Sequence, residues 1–118
     1  MSNLNPEQER KLERCKLTAS ISVYDVNQSM LLGTLVNIHS SGLLLVGASG
    51  LTEADHVYQL ELRLPQDLAG SASLFIGVDV LWIRSDEDSD VQWSGCQVID
   101  CSDQARQQIE LLIEQYAD

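Results

Sequence analysis

Residues 58–83 read YQLELRLPQDLAGSASLFIGVDVLWI, a stretch with two runs in which side chains alternate between buried-type and surface-type positions. The first run extends from Tyr58 to Leu64, and Pro65 is expected to end it because proline cannot donate a hydrogen bond to a neighbouring strand. The second run extends from Leu74 to Ile83, with apolar residues at every second position. Successive side chains of a strand point to opposite faces, so each run predicts a β-strand with one buried face.

The same alternation continues on both sides of this stretch. It predicts further strands over 17–24, 30–38, 43–46 and 91–99, separated by short polar or glycine-containing turns. Gly33, inside the second strand of the chain, indicates a bulge or a close approach of two backbones. A change of phase near Gly95 indicates another bulge.

Beyond the last strand the apolar residues follow helical spacing, which predicts a C-terminal helix over 103–117 with Ser102 or Asp103 as its N-cap. Its single apolar stripe would pack on the open side of the sheet or close one end of a barrel. The predicted fold class is all-β with a C-terminal helix. Six antiparallel strands favour a closed barrel, because closure removes exposed strand edges.

Charge and composition exclude several function classes. The 118 residues correspond to one domain, and the net charge of -11 argues against DNA, RNA and anionic membranes as partners. In that acidic context Trp82 and Trp93 are interpreted as core or interface anchors rather than as a base-stacking platform. No apolar run is long enough to span a membrane and the N-terminus is polar, so a cytoplasmic protein is expected.

The cysteine and acid patterns do not predict a metal site. Three cysteines occur without a Cys-x-x-Cys pair, and the acidic run 86–90 lacks the glycine and the glutamate of a calcium-binding loop. No pattern of a catalytic nucleophile with its base is present either. The protein is therefore expected to be a binding module and not an enzyme.

Positive charge is concentrated before the first strand. Arg10, Lys11, Arg14 and Lys16 lie within seven residues, with Glu13 as the only acid among them. Screening at physiological salt limits electrostatic fields to about 8 Å, so a small anion can be held there despite the acidity of the whole chain. Residues 1–16 are accordingly interpreted as an N-terminal arm, and 17–118 as the barrel domain. The alternative is an arm that is simply solvated.

Asn37-Ile38-His39-Ser40-Ser41-Gly42 forms a polar turn between the second and third strands. An Arg-x-x-x-Arg segment at Arg10 and Arg14, followed by Asn-x-x-x-x-Gly in such a turn, resembles the signature of the PilZ domain family. The segments 33–38, 42–45, 62–65, 80–82 and 95–99 are similar to strands of that family, so the resemblance covers about residues 7–116. It implies a six-stranded PilZ-like split barrel.

The resemblance also implies a ligand, the bacterial second messenger cyclic di-GMP, and a role in motility, adhesion or biofilm control. Arg10 and Arg14 would clamp guanine and phosphate, since a guanidinium pairs with both acceptors of a guanine edge. Lys11 would add positive potential. Asn37 would bond a guanine through its amide, and Gly42 would let the backbone approach the ligand or adopt a positive φ. The bound receptor would signal to a protein partner, and a homodimer through exposed strand or helix surface is compatible with the pattern.

His39 departs from the family signature, which has serine at this position. An imidazole is larger than a hydroxyl, although it donates to phosphate when protonated, and Ser40 or Ser41 would supply a hydroxyl instead. The alternative function is therefore a PilZ-like interaction module that has lost nucleotide binding. If the turn has no ligand, its polar side chains serve only to satisfy backbone groups.

Overall fold

A computed structural model describes residues 19–85 and 89–116 of the chain. Within these ranges there are six strands and one helix: β1 Ser22–Asp25, β2 Met30–His39, β3 Gly42–Ala48, β4 Val57–Leu68, β5 Ser71–Ser85, β6 Val91–Cys101 and α1 Asp103–Tyr116. All paired strands are antiparallel, in the order β1-β2-β3-β6-β5-β4. Because β4 also pairs with β1, the sheet closes into a barrel. The predicted fold class is confirmed.

Alternating side chains of every strand fill the barrel, as the sequence pattern requires. The row formed by Ile38, Leu43, Cys96 and Val80 crosses four neighbouring strands and is buried throughout. Helix α1 adds Ala105, Ile109 and Leu112 to the same core. The helix therefore completes the apolar interior that the strands begin.

Helix α1 is fixed at the end of the barrel where β4 turns into β5. The buried Gln108 side chain donates from Nε2 to the carbonyl oxygens of Leu68, Ser71 and Ser73 at 3.2, 3.2 and 3.0 Å. The N-cap is Ser102, whose Oγ accepts from the Ala105 amide at 3.0 Å. No helix in the ranges described has the length and apolar character to cross a membrane.

The expectation that Pro65 ends its strand is wrong. Strand β4 continues to Leu68, but its pairing with β5 lapses after Arg63 and resumes where Leu68 lies opposite Ser71. Proline lacks an amide hydrogen, and an irregularity of the ladder is where a strand tolerates it. The sequence located the loss of pairing correctly but could not show that the chain stays extended beyond it.

Gly33 marks a close crossing of β2 and β3. A Cβ at Gly33 would overlap the Val46 carbonyl oxygen, and one at Gly47 would overlap that of Leu32. The two glycines let the backbones approach at this crossing, so the predicted close approach is confirmed. Beyond the crossing, the β2–β3 hairpin leads to the polar turn.

Candidate functional site

A bulge in β2 places Asn37 on the outside of the barrel. Leu35 lies opposite Leu45 and Asn37 opposite Leu44, so Val36 is an extra residue on the β2 side. The insertion changes the phase of the strand, and the fully buried Ile38 rather than Asn37 points into the core. Asn37 therefore lies on the outer surface of the hairpin, just before the turn.

Asn37 is nevertheless only 6% exposed. Its Oδ1 is buried and accepts no hydrogen bond within residues 19–85 and 89–116. A buried acceptor without a partner costs about 1–3 kcal/mol. This oxygen is suited to accept a hydrogen bond from a ligand, and its position agrees with the ligand role predicted for Asn37.

His39 closes the turn through its own side chain. Its Nδ1 lies 3.3 Å from the Ser41 amide and 2.9 Å from Ser41 Oγ. The amide can only donate, so Nδ1 is the unprotonated acceptor and the neutral ring carries its hydrogen on Nε2. Ser40 is exposed at the tip, and the Ser41 carbonyl accepts from the Val98 amide of β6 at 3.0 Å. The turn is thus anchored on both sides, by the His39 ring and by β6.

Close packing of β3 against β6 explains why position 42 is a glycine. A Cβ at this position would lie 2.9 Å from the Cys96 carbonyl oxygen of β6 and 3.7 Å from both Cε1 and Nε2 of His39. Among the described glycines, positive φ occurs at Gly33, Gly50 and Gly70, and not at Gly42. This close contact is between two strands, so the predicted approach of the backbone to a ligand at Gly42 stays a prediction, whereas the predicted alternative of a positive φ is wrong.

Trp82 is a surface residue of this site that sequence reasoning missed. The alternation places it in the inward-facing set, but β5 has an extra residue, Leu81, between the pairs Val80–Cys96 and Trp82–Gly95. The bulge turns the half-buried indole onto the outer face, where it fills the space above Gly95. The change of phase near Gly95 was the available signal, although the extra residue lies on the partner strand.

Strand pairing connects Trp82 with Asn37. Asn37 pairs with Leu44, Leu44 with Gly95, and Gly95 with Trp82, so one row crosses four strands on the outer face. We call this row the outer platform; at about 4.8 Å per strand it is roughly 14 Å wide. It combines an amide at one end with an aromatic ring at the other, which suits a planar, hydrogen-bonding ligand.

The described strands around the turn supply little positive charge. The three arginines of these ranges lie on β4, β5 and α1, and none lies on β2 or β3. Arg63 on β4 is stacked at 3.9 Å over the Tyr24 ring. An anionic ligand at the turn would therefore need cations from another part of the chain.

The predicted clamp residues Arg10, Lys11 and Arg14 lie outside the described residues. The chain enters β1 beside the hairpin, because the Ile21 carbonyl oxygen accepts from the Leu35 amide at 2.9 Å. Ile21 comes seven positions after Arg14, and seven extended residues span at most about 25 Å. This length is enough to reach from Ile21 to Asn37 and the turn.

No metal or thiol chemistry is evident at the site. The described residues contain no group of three His, Cys, Asp or Glu side chains that could hold a metal ion. Burial, with a smaller contribution from the charge of Asp79, raises the pKa of Cys96 to about 12. The Cys96 thiol is therefore protonated at neutral pH and is not a nucleophile.

Comparison with known proteins identifies the family. Residues 8–115 match the family profile of the PilZ domain. The chain belongs to the PilZ domain family. The matched range contains the Arg-x-x-x-Arg segment as well as the β2–β3 turn, and the resemblance drawn from those motifs is confirmed. No curated protein sequence matches the chain.

Two solved structures share the PilZ fold of this chain. The Bacillus subtilis inhibitor of motility MotI/DgrA has a TM-score of 0.65 at 19% identity, over 82% of this chain and 46% of that one. The Borreliella burgdorferi protein PlzA, solved in complex with c-di-GMP, has a TM-score of 0.55 at 14% identity, over 94% of this chain and 47% of that one. The present chain thus spans just under half the length of each.

Proposed function

We propose that this PilZ domain is a receptor for cyclic di-GMP, which binds at the β2–β3 turn and on the outer platform. The observation that carries the proposal is the buried Oδ1 of Asn37, which has no hydrogen-bond partner among the described residues and belongs to the turn motif that resembles the PilZ signature. The c-di-GMP complex of PlzA, a protein of the same fold, supports the choice of ligand.

Each site residue has a defined chemical role in this proposal. Asn37 Oδ1 accepts from a guanine N–H, and the His39 ring of the turn contacts a phosphate. Arg10 and Arg14 of the arm pair with a guanine edge and a phosphate, while Lys11 adds positive potential. The Ser40 hydroxyl at the exposed tip is a further phosphate donor. Gly42 keeps the hairpin close to β6, so that the turn is rigid before the ligand arrives.

Trp82 extends the site beyond the signature residues. Its ring stands at the far end of the outer platform, and base–aromatic stacking contributes about 1–3 kcal/mol per base. Contact of Arg10 and Arg14 with the bound ligand would also change the surface offered to a protein partner. The receptor acts by binding alone, and incubation with cyclic di-GMP is expected to leave the nucleotide intact.

Titration calorimetry tests the clamp. Each of Arg10→Ala and Arg14→Ala is expected to weaken cyclic di-GMP binding roughly five- to hundredfold, since a bidentate arginine contact contributes about 1–3 kcal/mol. Arg106→Ala is the matched control, because Arg106 is an exposed arginine of α1. Unchanged affinity in both arm variants would refute the clamp.

A second function, that of an interaction module without nucleotide binding, is favoured by one observation. The His39 ring is bonded to Ser41 and lies against Gly42, so it occupies space that a serine would leave open. His39→Ser separates the two functions. Binding by the wild type supports the receptor, whereas binding by His39→Ser alone would show that the natural protein is the interaction module.

A further inference from the structure

The outer face of β4, β5 and β6 exposes large apolar side chains that are not part of the barrel core. Val57, Phe75 and Ile99 are 58%, 54% and 52% exposed. Their positions follow from pairing: Phe75 lies opposite Glu61, Val57 lies opposite Asp79, and Ile99 is the unpaired residue of a β6 bulge next to Asp100. These three side chains are therefore gathered on one side of the barrel.

Acids surround the apolar side chains. We call the acidic apolar face the surface formed by Val57, Glu61, Phe75, Asp79, Ile99 and Asp100. Glu61 accepts from Ser73 Oγ at 2.7 Å and lies 3.8 Å from Arg63. Asp79 and Asp100 form no ion pair with any arginine or histidine in the part of the chain that the structure covers.

The centre of the face is Gly77, which the side chains of its neighbours cover. Gly77 lies between Gln59 and Asp100, and a Cβ there would lie 3.0 Å from Gln59 Nε2 and from Asp100 Cβ. No bulky side chain separates Phe75 from Asp79 along β5. At about 3.3 Å per residue these two positions are roughly 13 Å apart, a distance that two to three turns of a helix would cover.

We infer that the acidic apolar face docks a basic, amphipathic segment of a protein partner. Apolar contact at Val57, Phe75 and Ile99 would supply affinity, and the unpaired carboxylates would select lysine or arginine around it. A second copy of the chain is disfavoured, because it would bring the same acids against one another. The inference rests on the proposed function only in that a signalling receptor requires a partner.

The face is continuous with the candidate ligand site. His39 pairs with Gly42, Gly42 with Gln97, Gln97 with Asp79, and Asp79 with Val57, so one row of the sheet joins the turn to the face. A partner docked on Asp79 would lie about 10 Å from Gly42, two strands away. Ligand and partner would thus occupy adjoining surfaces.

Selection of peptides from a random 16-residue display library, on the full chain without nucleotide, tests this inference. The selected peptides are expected to combine lysine or arginine with apolar residues. The double variant Phe75→Ser/Ile99→Ser should bind these peptides at least tenfold more weakly. The double variant Asp79→Asn/Asp100→Asn should also bind them more weakly, and most of the salt dependence of the affinity should be lost. Leu31→Ser is the matched control, because Leu31 is 48% exposed on β2. The affinity of Leu31→Ser for the selected peptides should stay within twofold of the wild-type affinity.

Crosslinking from a photoreactive group on a selected peptide locates the peptide-binding surface on the wild-type protein and so needs no variant. Crosslinks should map to β4–β6 and not to β1–β2. The inference is overturned if no peptide is selected, if the peptides are not basic, if the crosslinks map elsewhere, or if the two double variants bind as Leu31→Ser does. Dimerisation through this face, seen by sedimentation, would equally overturn it.

Calorimetry with cyclic di-GMP on the same proteins separates this inference from the proposed function. Phe75→Ser/Ile99→Ser is expected to bind the nucleotide as the wild type does. If peptides bind the face and the nucleotide does not bind the chain, only the proposed function fails. If the nucleotide binds and the peptides do not, only the partner surface fails.

Discussion

Asn37 shows how one backbone irregularity creates a candidate site. Without the extra residue Val36, the alternation of β2 would turn Asn37 into the apolar core. A lone amide there would lack partners and would destabilise the barrel. With the bulge, the amide lies at the outer surface, where a ligand can complete its hydrogen bonding.

Asn37→Ala is expected to weaken cyclic di-GMP binding about tenfold without lowering the free energy of unfolding, because the lost oxygen has no hydrogen-bond partner in residues 19–85 and 89–116. Thr52→Ala is the contrasting control. The Thr52 hydroxyl is bonded at 2.6 Å to Ser94 Oγ and at 2.8 Å to Gln92 Nε2. Its loss should destabilise the fold by about 1–3 kcal/mol without affecting the ligand. Calorimetry and urea unfolding check both variants, and equal destabilisation would contradict the account.

His39 is expected to make ligand affinity depend weakly on pH. Protonation would add charge to the ring but would give up the Ser41 amide contact at Nδ1. A phosphate partner favours the charged ring, so affinity should rise as pH falls. We expect a gain of less than tenfold between pH 7.5 and 5.5, and none in His39→Ser. A decrease in wild-type affinity over that range would exclude a phosphate role for His39.

The strands were largely predictable and their irregularities were not. The alternation along β4 and β5 can be recognised from the residues of each strand alone, because it reflects which side chains must be buried. Bulges at Val36 and Leu81 depend on how two strands align, and the sequence of one strand does not contain that alignment. The turn residues could be found from their motif, whereas Trp82 joined the site only through pairing across four strands.

The packing of Trp82 on Gly95 couples two neighbouring strands. A Cβ at Gly95 would overlap the indole, so Gly95→Ala is expected to destabilise the domain by about 2 kcal/mol or more. In a Trp82→Ala background the same change should cost little, because the clashing ring is absent. A double-mutant cycle in urea measures this coupling. Equal costs in the two backgrounds would show that the ring does not occupy the space above Gly95.

The buried Cys96 thiol is expected to make the free energy of unfolding depend on pH in the alkaline range. Burial raises the pKa of its thiol from 9.0 to about 12, so the folded state holds this proton more tightly than the unfolded chain does. The resulting stability is fully present below pH 9 and is lost as pH rises from 9 towards 12. Between pH 9 and 10.5 the wild type should lose up to about 1.4 kcal/mol per pH unit more than Cys96→Ala. If urea unfolding shows that the free energy of unfolding falls equally with pH in the wild type and in Cys96→Ala, this prediction is refuted.

The charge distribution of the whole chain links the two proposals. Seven bases face eighteen acids, and four of the bases lie in the arm. In the proposed function, the bases of the arm would hold a small cyclic dinucleotide at the turn despite the net acidity of the chain. In the further inference, the same net acidity would attract a basic partner to the acidic apolar face.

Thermal unfolding with and without cyclic di-GMP tests the central claim most directly. A ligand that binds only the folded state stabilises it by about 2.7 kcal/mol at a hundredfold excess over Kd. For a domain of this size that corresponds to a rise in Tm of roughly 10 °C. We predict this rise for the wild type and a much smaller one for the combined Arg10→Ala/Arg14→Ala variant, with GMP giving none. An unchanged Tm at saturating nucleotide would contradict the proposal that this PilZ domain is a cyclic di-GMP receptor.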